Sequence, residues 1–299
     1  MTKQSSHSLA HIAFEGKNSR RPKLIQGHGA NAVSAVDQDP VPVFIACVLE
    51  AAGLPAEAYR AAPMRRRLGA CLRTLKVGSV SEAWILMQNP ERVATAIDSL
   101  LIGATEFFRD AAVFDALRKI IEADLPIQQK TIRVWSAGCS NGAELYSLAI
   151  LLAEAGKLDR SILVGTDCRA AAVEEAEAGL YSEADVRSMD ASLRRKYMRK
   201  AGGQWRVIDS LSRGIQWRVC DLLSGSEDGP WDIILWRNMS IYLKPKPASE
   251  VWDGLMKELR PGGWLVVGKA ERPPGPSGLK CISRSIYQLQ GEGTVEISG

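Results

Sequence analysis

The sequence predicts an α/β fold: a doubly wound, mostly parallel sheet preceded by a small all-helical domain. Three observations predict it. From residue 132 onward, short β-rich runs alternate with helical stretches, the order that covers a parallel sheet on both faces. Before that, residues 41–102 carry apolar groups at three- and four-residue steps, the spacing of amphipathic helices. RVWSAGCSNGAELYSLA, at 133–149, then passes from strand-like to helix-like through a run of small residues. A parallel strand that feeds a helix beside a ligand reads this way.

Residues 1–39 are polar and lack sustained periodicity, so they read as a disordered tail. Residues 40–102 form the helical domain. Its clearest helix places Met64, Leu68, Cys71, Leu72 and Leu75 in one stripe, with Arg65, Arg66, Arg67, Arg73 and Lys76 on the other faces. Further helices are expected over 81–87 and 90–101. Residues 103–299 make the α/β domain, with strands expected at 132–136, 162–166, 215–220, 231–236 and 264–267. Helices are expected at 142–155, 170–178 and 248–259. CISRSIYQLQ, at 281–290, alternates apolar and polar residues and suits a late edge strand. Residues 185–214 break the alternation with a basic run from Arg194 to Lys200, then Gly202-Gly203, and read as an insertion.

The bulk numbers narrow the function classes. A chain of 299 residues, 46% apolar and 24% charged, has the make-up of a soluble globular protein with a sizeable core. No apolar run approaches the ~20 residues of a membrane span. No signal-peptide layout opens the chain, so a cytoplasmic location is expected. Six cysteines without a CxxC pair argue for reduced thiols and against a zinc site, and no metal is expected. A net charge of +4 is too small to indicate nucleic acid, and interleaved aromatics are missing. A monomer is the default expectation.

The glycine-rich turn Ala137-Gly138-Cys139-Ser140-Asn141-Gly142 lies where such folds bind ligands, beyond the carboxyl end of a strand. Glycines let backbone approach a ligand, and free amides at a helix start bind polar groups. The turn is not GxGxxG, which argues against a pyrophosphate cradle. The second strand ends in Asp167, about 25 residues further on. That acid can accept from both hydroxyls of a ribose, or simply cap the helix that starts near Arg169. A third strand ends at Asp221-Leu222 and a fourth at Arg237-Asn238-Met239. Four polar strand ends along one edge favour a nucleoside pocket over four separate caps.

ATEFFRD (104–110), the 133–149 segment, GTD (165–167), ILWRNMSIYL (234–243) and LRPGGWLVVGKAE (259–271) together resemble the successive motifs of the CheR-type chemoreceptor glutamate methyltransferases. Their order and spacing agree from about residue 42 to 290. The resemblance implies S-adenosylmethionine as cofactor, a class I methyltransferase sheet of seven strands, and a small β-subdomain that fits the 185–214 insertion. By position, it places Thr105 and Arg109 at the cofactor's methionine end and the incoming carboxylate. Ala137, Gly138 and Glu144 would line the pocket, Asp167 would hold the ribose, and Asp221 with Leu222 would flank the adenine. Asn238 and Met239 would close the site, and Tyr242 would stand near the transferring methyl. Gly103, Asp221, Ala143 and the Lys269-Ala270 pair depart from the usual residues of the family, and the loop at 201–204 is short for docking on a receptor's C-terminal peptide.

Methyl transfer from a sulfonium to a glutamate carboxylate joins two opposite charges. The carboxylate is already ionised at pH 7, so alignment and desolvation carry the catalysis. Arg109 is the expected positioning cation, and Tyr242 can donate to the carboxylate or pack on the sulfonium. Residues 58–81 hold six cations and no acid, a charge pattern that fits an acidic helical partner such as a chemoreceptor, or a plain solvated face. Two alternatives stay open at this level: the same fold acting on another protein or small molecule, and a non-catalytic binder of the cofactor or its product.

Overall fold

A computed structural model describes residues 39–101, 105–123, 125, 131–274 and 278–291. The expected tail, apart from Asp39, lies outside the described residues, as do Gly103 and the expected domain boundary at 102–103. Helix α1 (Pro40–Ala51) begins where the Asp39 carboxylate accepts from the Val41 amide at 3.0 Å and proline occupies the first turn, both ordinary start signals. Helix α2 (Ala61–Leu75) ends at Lys76 in the left-handed conformation. Helix α3 (Val80–Leu86) opens on a capping box: the Ser79 hydroxyl accepts from the Glu82 amide, and the Glu82 carboxylate accepts from Gly78. Helix α4 (Pro90–Leu101) follows.

Helix α5 (Ala111–Ala123) has no counterpart among the expected elements. It buries Val113, Phe114, Leu117, Ile120 and Ile121, a clear three- and four-residue stripe hidden where the helical and strand-rich textures meet. The alternation then runs β1 (Ile132–Ala137), α6 (Ala143–Glu154), β2 (Ser161–Asp167) and α7 (Ala170–Ala178). The irregular stretch contains β3 (Leu180–Tyr181), α8 (Ala191–Tyr197), β4 (Met198–Ala201), β5 (Gln204–Val207) and α9 (Asp209–Ser212). Strands β3, β5 and β4 form a separate antiparallel sheet of three, so this sheet begins at Leu180, ahead of the expected 185. The chain returns through β6 (Ile215–Val219), β7 (Trp231–Trp236), α10 (Pro245–Glu258) and β8 (Leu259–Val267). The stretch expected as one edge strand is a hairpin of β9 (Leu279–Ser283) and β10 (Ile286–Leu289).

The main sheet has seven strands in the order β6-β2-β1-β7-β8-β10-β9. Strands β6, β2, β1, β7 and β8 are parallel, and β10 is antiparallel to both its neighbours. After β1 the chain builds outward through β2 to β6, then crosses back to place β7 on the other side of β1. The order therefore reverses between β1 and β7, and open α/β sheets bind ligands beyond the carboxyl ends at such a point.

Side chains leave each central strand alternately toward two cores. Val134, Ile233, Leu235 and Val266 join one core with α5 and α6. Trp135, Ile234, Trp236, Leu265 and Val267 join the other, which also contains Phe44, Met64, Cys71, Ala96 and Leu100 of the N-terminal helices. The helical residues thus share a continuous core with one face of the sheet.

Candidate active site

A cleft opens at the switch point, over the carboxyl ends of β1, β2, β6 and β7. Of the residues expected there, Thr105, Arg109, Gly138, Glu144, Asp167, Asp221, Leu222, Asn238, Met239 and Tyr242 line it. Ala137 does not: it is buried at the end of β1, and Gly138 takes the lining position. The two glycines of the turn serve different neighbours. A Cβ on Gly138 would come within 3.0 Å of the Met239 Cγ, so this position stays bare to keep the two cleft walls apart. A Cβ on Gly142 would strike the Trp217 ring at 2.6 Å, so that glycine answers to protein packing.

Five amides of this turn are used within the protein. Gly138 and Cys139 both donate to the Thr166 carbonyl, Ser140 to the Asp167 carboxylate, Gly142 to the Cys139 carbonyl and Ala143 to Asn141. These five amides stabilise the turn itself, and side chains supply further polar groups in the cleft. Asp167, 6% exposed, accepts from the Ser140 amide at 2.9 Å and the Arg169 amide at 3.0 Å, and pairs with the Arg169 guanidinium at 3.2 Å. Helix capping and a cleft position are therefore combined in one carboxylate. Arg169 also reaches Asp98 on α4 at 3.1 Å and the Ser140 hydroxyl at 3.3 Å. Asp221 is half-buried, and that burial raises its pKa despite the Leu223 amide it accepts. Cys139, Cys168 and Cys220 also line the cleft, where burial pushes their thiols up, Cys220 to about 11. They stand as neutral thiols at pH 7 rather than as nucleophiles.

The other wall is made by two tight turns. In the first, Phe108 and Asp110 have φ of 53° and 64° on either side of Arg109, a left-handed conformation that costs non-glycine residues energy. This turn is tied down on every side. Phe107 donates to the Asp185 carbonyl, Phe108 to the Ser147 hydroxyl, and the buried Arg237 guanidinium donates to the Arg109 carbonyl at 3.1 Å. Arg237 further pairs with Asp110 at 2.7 Å and Glu144 at 2.9 Å, and Lys269 pairs with Asp110 at 2.5 Å. Burial opposes ionisation of Asp110, but the Lys269 hydrogen bond and the charges of Arg237, Lys269 and Arg109 prevail and hold its pKa low. In the second turn, Asn238 has φ of 62°. The buried Glu271 carboxylate accepts from the amides of Asn238, Ser240 and Gly268 and from the Ser240 hydroxyl, all at 2.7–2.8 Å. This clamp aims the short helical turn Ser240–Tyr242 at the cleft.

Residues 103–285 match the CheR methyltransferase, SAM-binding domain. The chain belongs to the CheR methyltransferase family. A chemotaxis protein methyltransferase of Vibrio parahaemolyticus is 29% identical over 242 residues, covering 76% of this chain and 88% of that protein. Chemotaxis protein methyltransferase 1 of Vibrio cholerae matches to the same extent. A chemotaxis protein methyltransferase of Listeria innocua is 27% identical over 79% of this chain and 91% of its own length.

The CheR-family cofactor, S-adenosylmethionine, suits the residues present. The cleft at the switch point offers two strand-end acids for a nucleoside, and Asp167 keeps lone pairs beyond those used by Ser140 and Arg169. Gly138 leaves the gap to Met239 open. Sequence reading missed three residues that shape this CheR-family site: Arg169, Arg237 and Glu271. Each has a partner far along the chain, Asp98 at 71 positions from Arg169, Asp110 at 127 from Arg237 and Asn238 at 33 from Glu271, beyond any local pattern. The one available signal was the placing of Arg237 and Glu271 inside the last two motifs.

Proposed function

We propose that the protein transfers the methyl group of S-adenosylmethionine to glutamate side-chain carboxylates of a chemoreceptor-type signalling protein, giving methyl esters. The observation that carries this reading is the convergence of Arg109 and Tyr242, from two separately clamped turns, on the cleft that Asp167 and Asp221 also line. When bound, the cofactor supplies an electrophilic methyl on a sulfonium. Asp167 accepts hydrogen bonds from its ribose, Asp221 with Leu222 receives the adenine, and Thr105, Gly138, Glu144, Asn238 and Met239 surround the rest. Arg109, at the apex of its turn, holds the incoming carboxylate in line, and Tyr242 donates to it or packs beside the reacting centre. With the methyl passing from sulfur to an already ionised carboxylate oxygen, these residues would have no proton to move. The residues fit that economy, since the cleft thiols are neutral.

The exposed cations of α2 support an acidic helical partner. Arg66, Arg73 and Lys76 face solvent, whereas Arg65 pairs with Asp39 and Arg67 donates to the Ser99 and Leu100 carbonyls that end α4. On this reading residues 40–102 face the receptor, residues 103–299 carry out transfer, and the enzyme works in the cytoplasm as a monomer. The test is incubation with methyl-labelled cofactor and a receptor cytoplasmic fragment, followed by alkali. Label released as methanol, and lost in Arg109→Ala, supports the reading. An alkali-stable product, or none, overturns it.

A further inference from the structure

Tyr59 stands outside every motif of the sequence, on the extended residue between the short turn Ala56–Ala58 and helix α2. Its backbone is bridged antiparallel to Leu243: the Arg60 amide donates to the Tyr242 carbonyl, and the Lys244 amide donates to the Ala58 carbonyl, both at 2.8 Å. This ladder pins Tyr59 beside the turn that carries Tyr242. Its ring is 9% exposed and lines the cleft together with Met64, Leu100 and Leu101 from the same helical region. Burial, and after it the charges of Cys168, Asp221 and Asp167, push its phenol up. The hydroxyl therefore stays protonated, on a residue that shares the cleft lining with Asp167 and Cys168 at the end of β2 and Asp221 after β6. Among the described residues none hydrogen-bonds it, and a tyrosine hydroxyl ordinarily takes a partner.

We propose that Tyr59 is a cofactor-contacting residue whose hydroxyl hydrogen-bonds the nucleoside end of S-adenosylmethionine, so that the helical region forms one wall of the cofactor site. The inference rests on the cofactor reading above. It deepens that reading by making nucleoside affinity depend on a residue outside the matched domain. Because Tyr59 stands two residues ahead of α2 and is bridged to Leu243, next to Tyr242, the cofactor, the basic helix and the substrate-facing turn meet at one backbone bridge.

Calorimetric titration with S-adenosylhomocysteine tests it, comparing wild type with Tyr59→Phe and reading the melting temperature of each ligand-free protein. The phenylalanine keeps the ring in its core, so the ligand-free melting temperature stays at the wild-type value. Loss of one net hydrogen bond weakens binding by about three- to tenfold, and methylthioadenosine, which retains the nucleoside end, shows the same loss. Wild-type affinity in Tyr59→Phe overturns the inference while leaving the cofactor reading intact. A loss seen with S-adenosylhomocysteine but not with methylthioadenosine overturns the nucleoside contact. Absence of binding by folded wild type overturns both.

Discussion

Asp167 does two things with one carboxylate, and separating them is a matter of which atoms are left without partners. It anchors the glycine-rich turn through Ser140 and the start of α7 through Arg169, and it faces the cleft. Asp167→Ala should weaken S-adenosylhomocysteine binding by about 1–3 kcal/mol, as for a lost charged acceptor, and should lower the melting temperature because Arg169 stays buried with one carboxylate fewer. Calorimetry beside a thermal melt checks both, and full-strength binding would remove Asp167 from the cofactor. Asp221 yields a pH signature. Burial raises its pKa above 3.8, so on acidification from neutrality it takes up its proton earlier than a solvated carboxylate does. The acceptor it offers to an adenine amino group is then lost. Affinity for S-adenosylhomocysteine should fall with pH through that raised value, and Asp221→Asn, which does not titrate, should flatten the profile. Equal slopes in the two proteins would show that another group governs the fall. Both acids were legible in the sequence because a strand-end position is a local property. Their environments were not, since Arg169 draws its second acid from Asp98, 71 positions away.

At the level of elements, two short turns need outside help to hold their shape. The turn carrying Arg109 has two left-handed residues and is held from below by Arg237. The turn carrying Tyr242 begins at left-handed Asn238 and is held by Glu271. The Glu271 carboxylate fits only because Gly268 is bare: a Cβ there would stand 2.6 Å from it. Glu271→Gln preserves volume but turns one acceptor into a donor that faces the backbone amides, at a cost of about 1–3 kcal/mol. The substitution should lower kcat about tenfold or more by misplacing the turn, while Glu271→Asp, which restores the charge, recovers part of the loss. Steady-state kinetics with a melt for each variant separates positioning from stability. An unchanged kcat in a folded Glu271→Gln would show that the turn holds without its clamp. Helices α2, α4, α6 and α10 were legible because periodicity marks each over ten or more residues. Helix α5 escaped at a change of texture, and the final hairpin escaped because its turn at Arg284-Ser285 carries no glycine, proline or asparagine to mark it.

Across the whole molecule, the core shared between the helices and the sheet makes α2 part of the catalytic body, so a partner held on α2 is held relative to the cleft. Sequence placed five cations together on the faces away from the apolar stripe, yet they divide by role. Arg67 satisfies carbonyls at the end of α4, a favourable place for a cation, and Arg65 pairs with Asp39. Arg66, Arg73 and Lys76 remain exposed to steer an acidic partner. Steering by exposed charge fades within a Debye length, about 10 Å at 0.1 M salt. KM for a receptor fragment should therefore rise with ionic strength, with kcat nearly constant. The double variant Arg66→Glu with Arg73→Glu should raise KM at low salt and flatten that dependence. It should leave S-adenosylhomocysteine affinity and melting temperature near the wild-type values, because neither side chain reaches the cleft. Arg67→Glu should do the reverse, lowering the melting temperature through the loss of the α4 contact. A double variant with the wild-type KM and the wild-type salt slope would mean that the receptor is held elsewhere on the molecule.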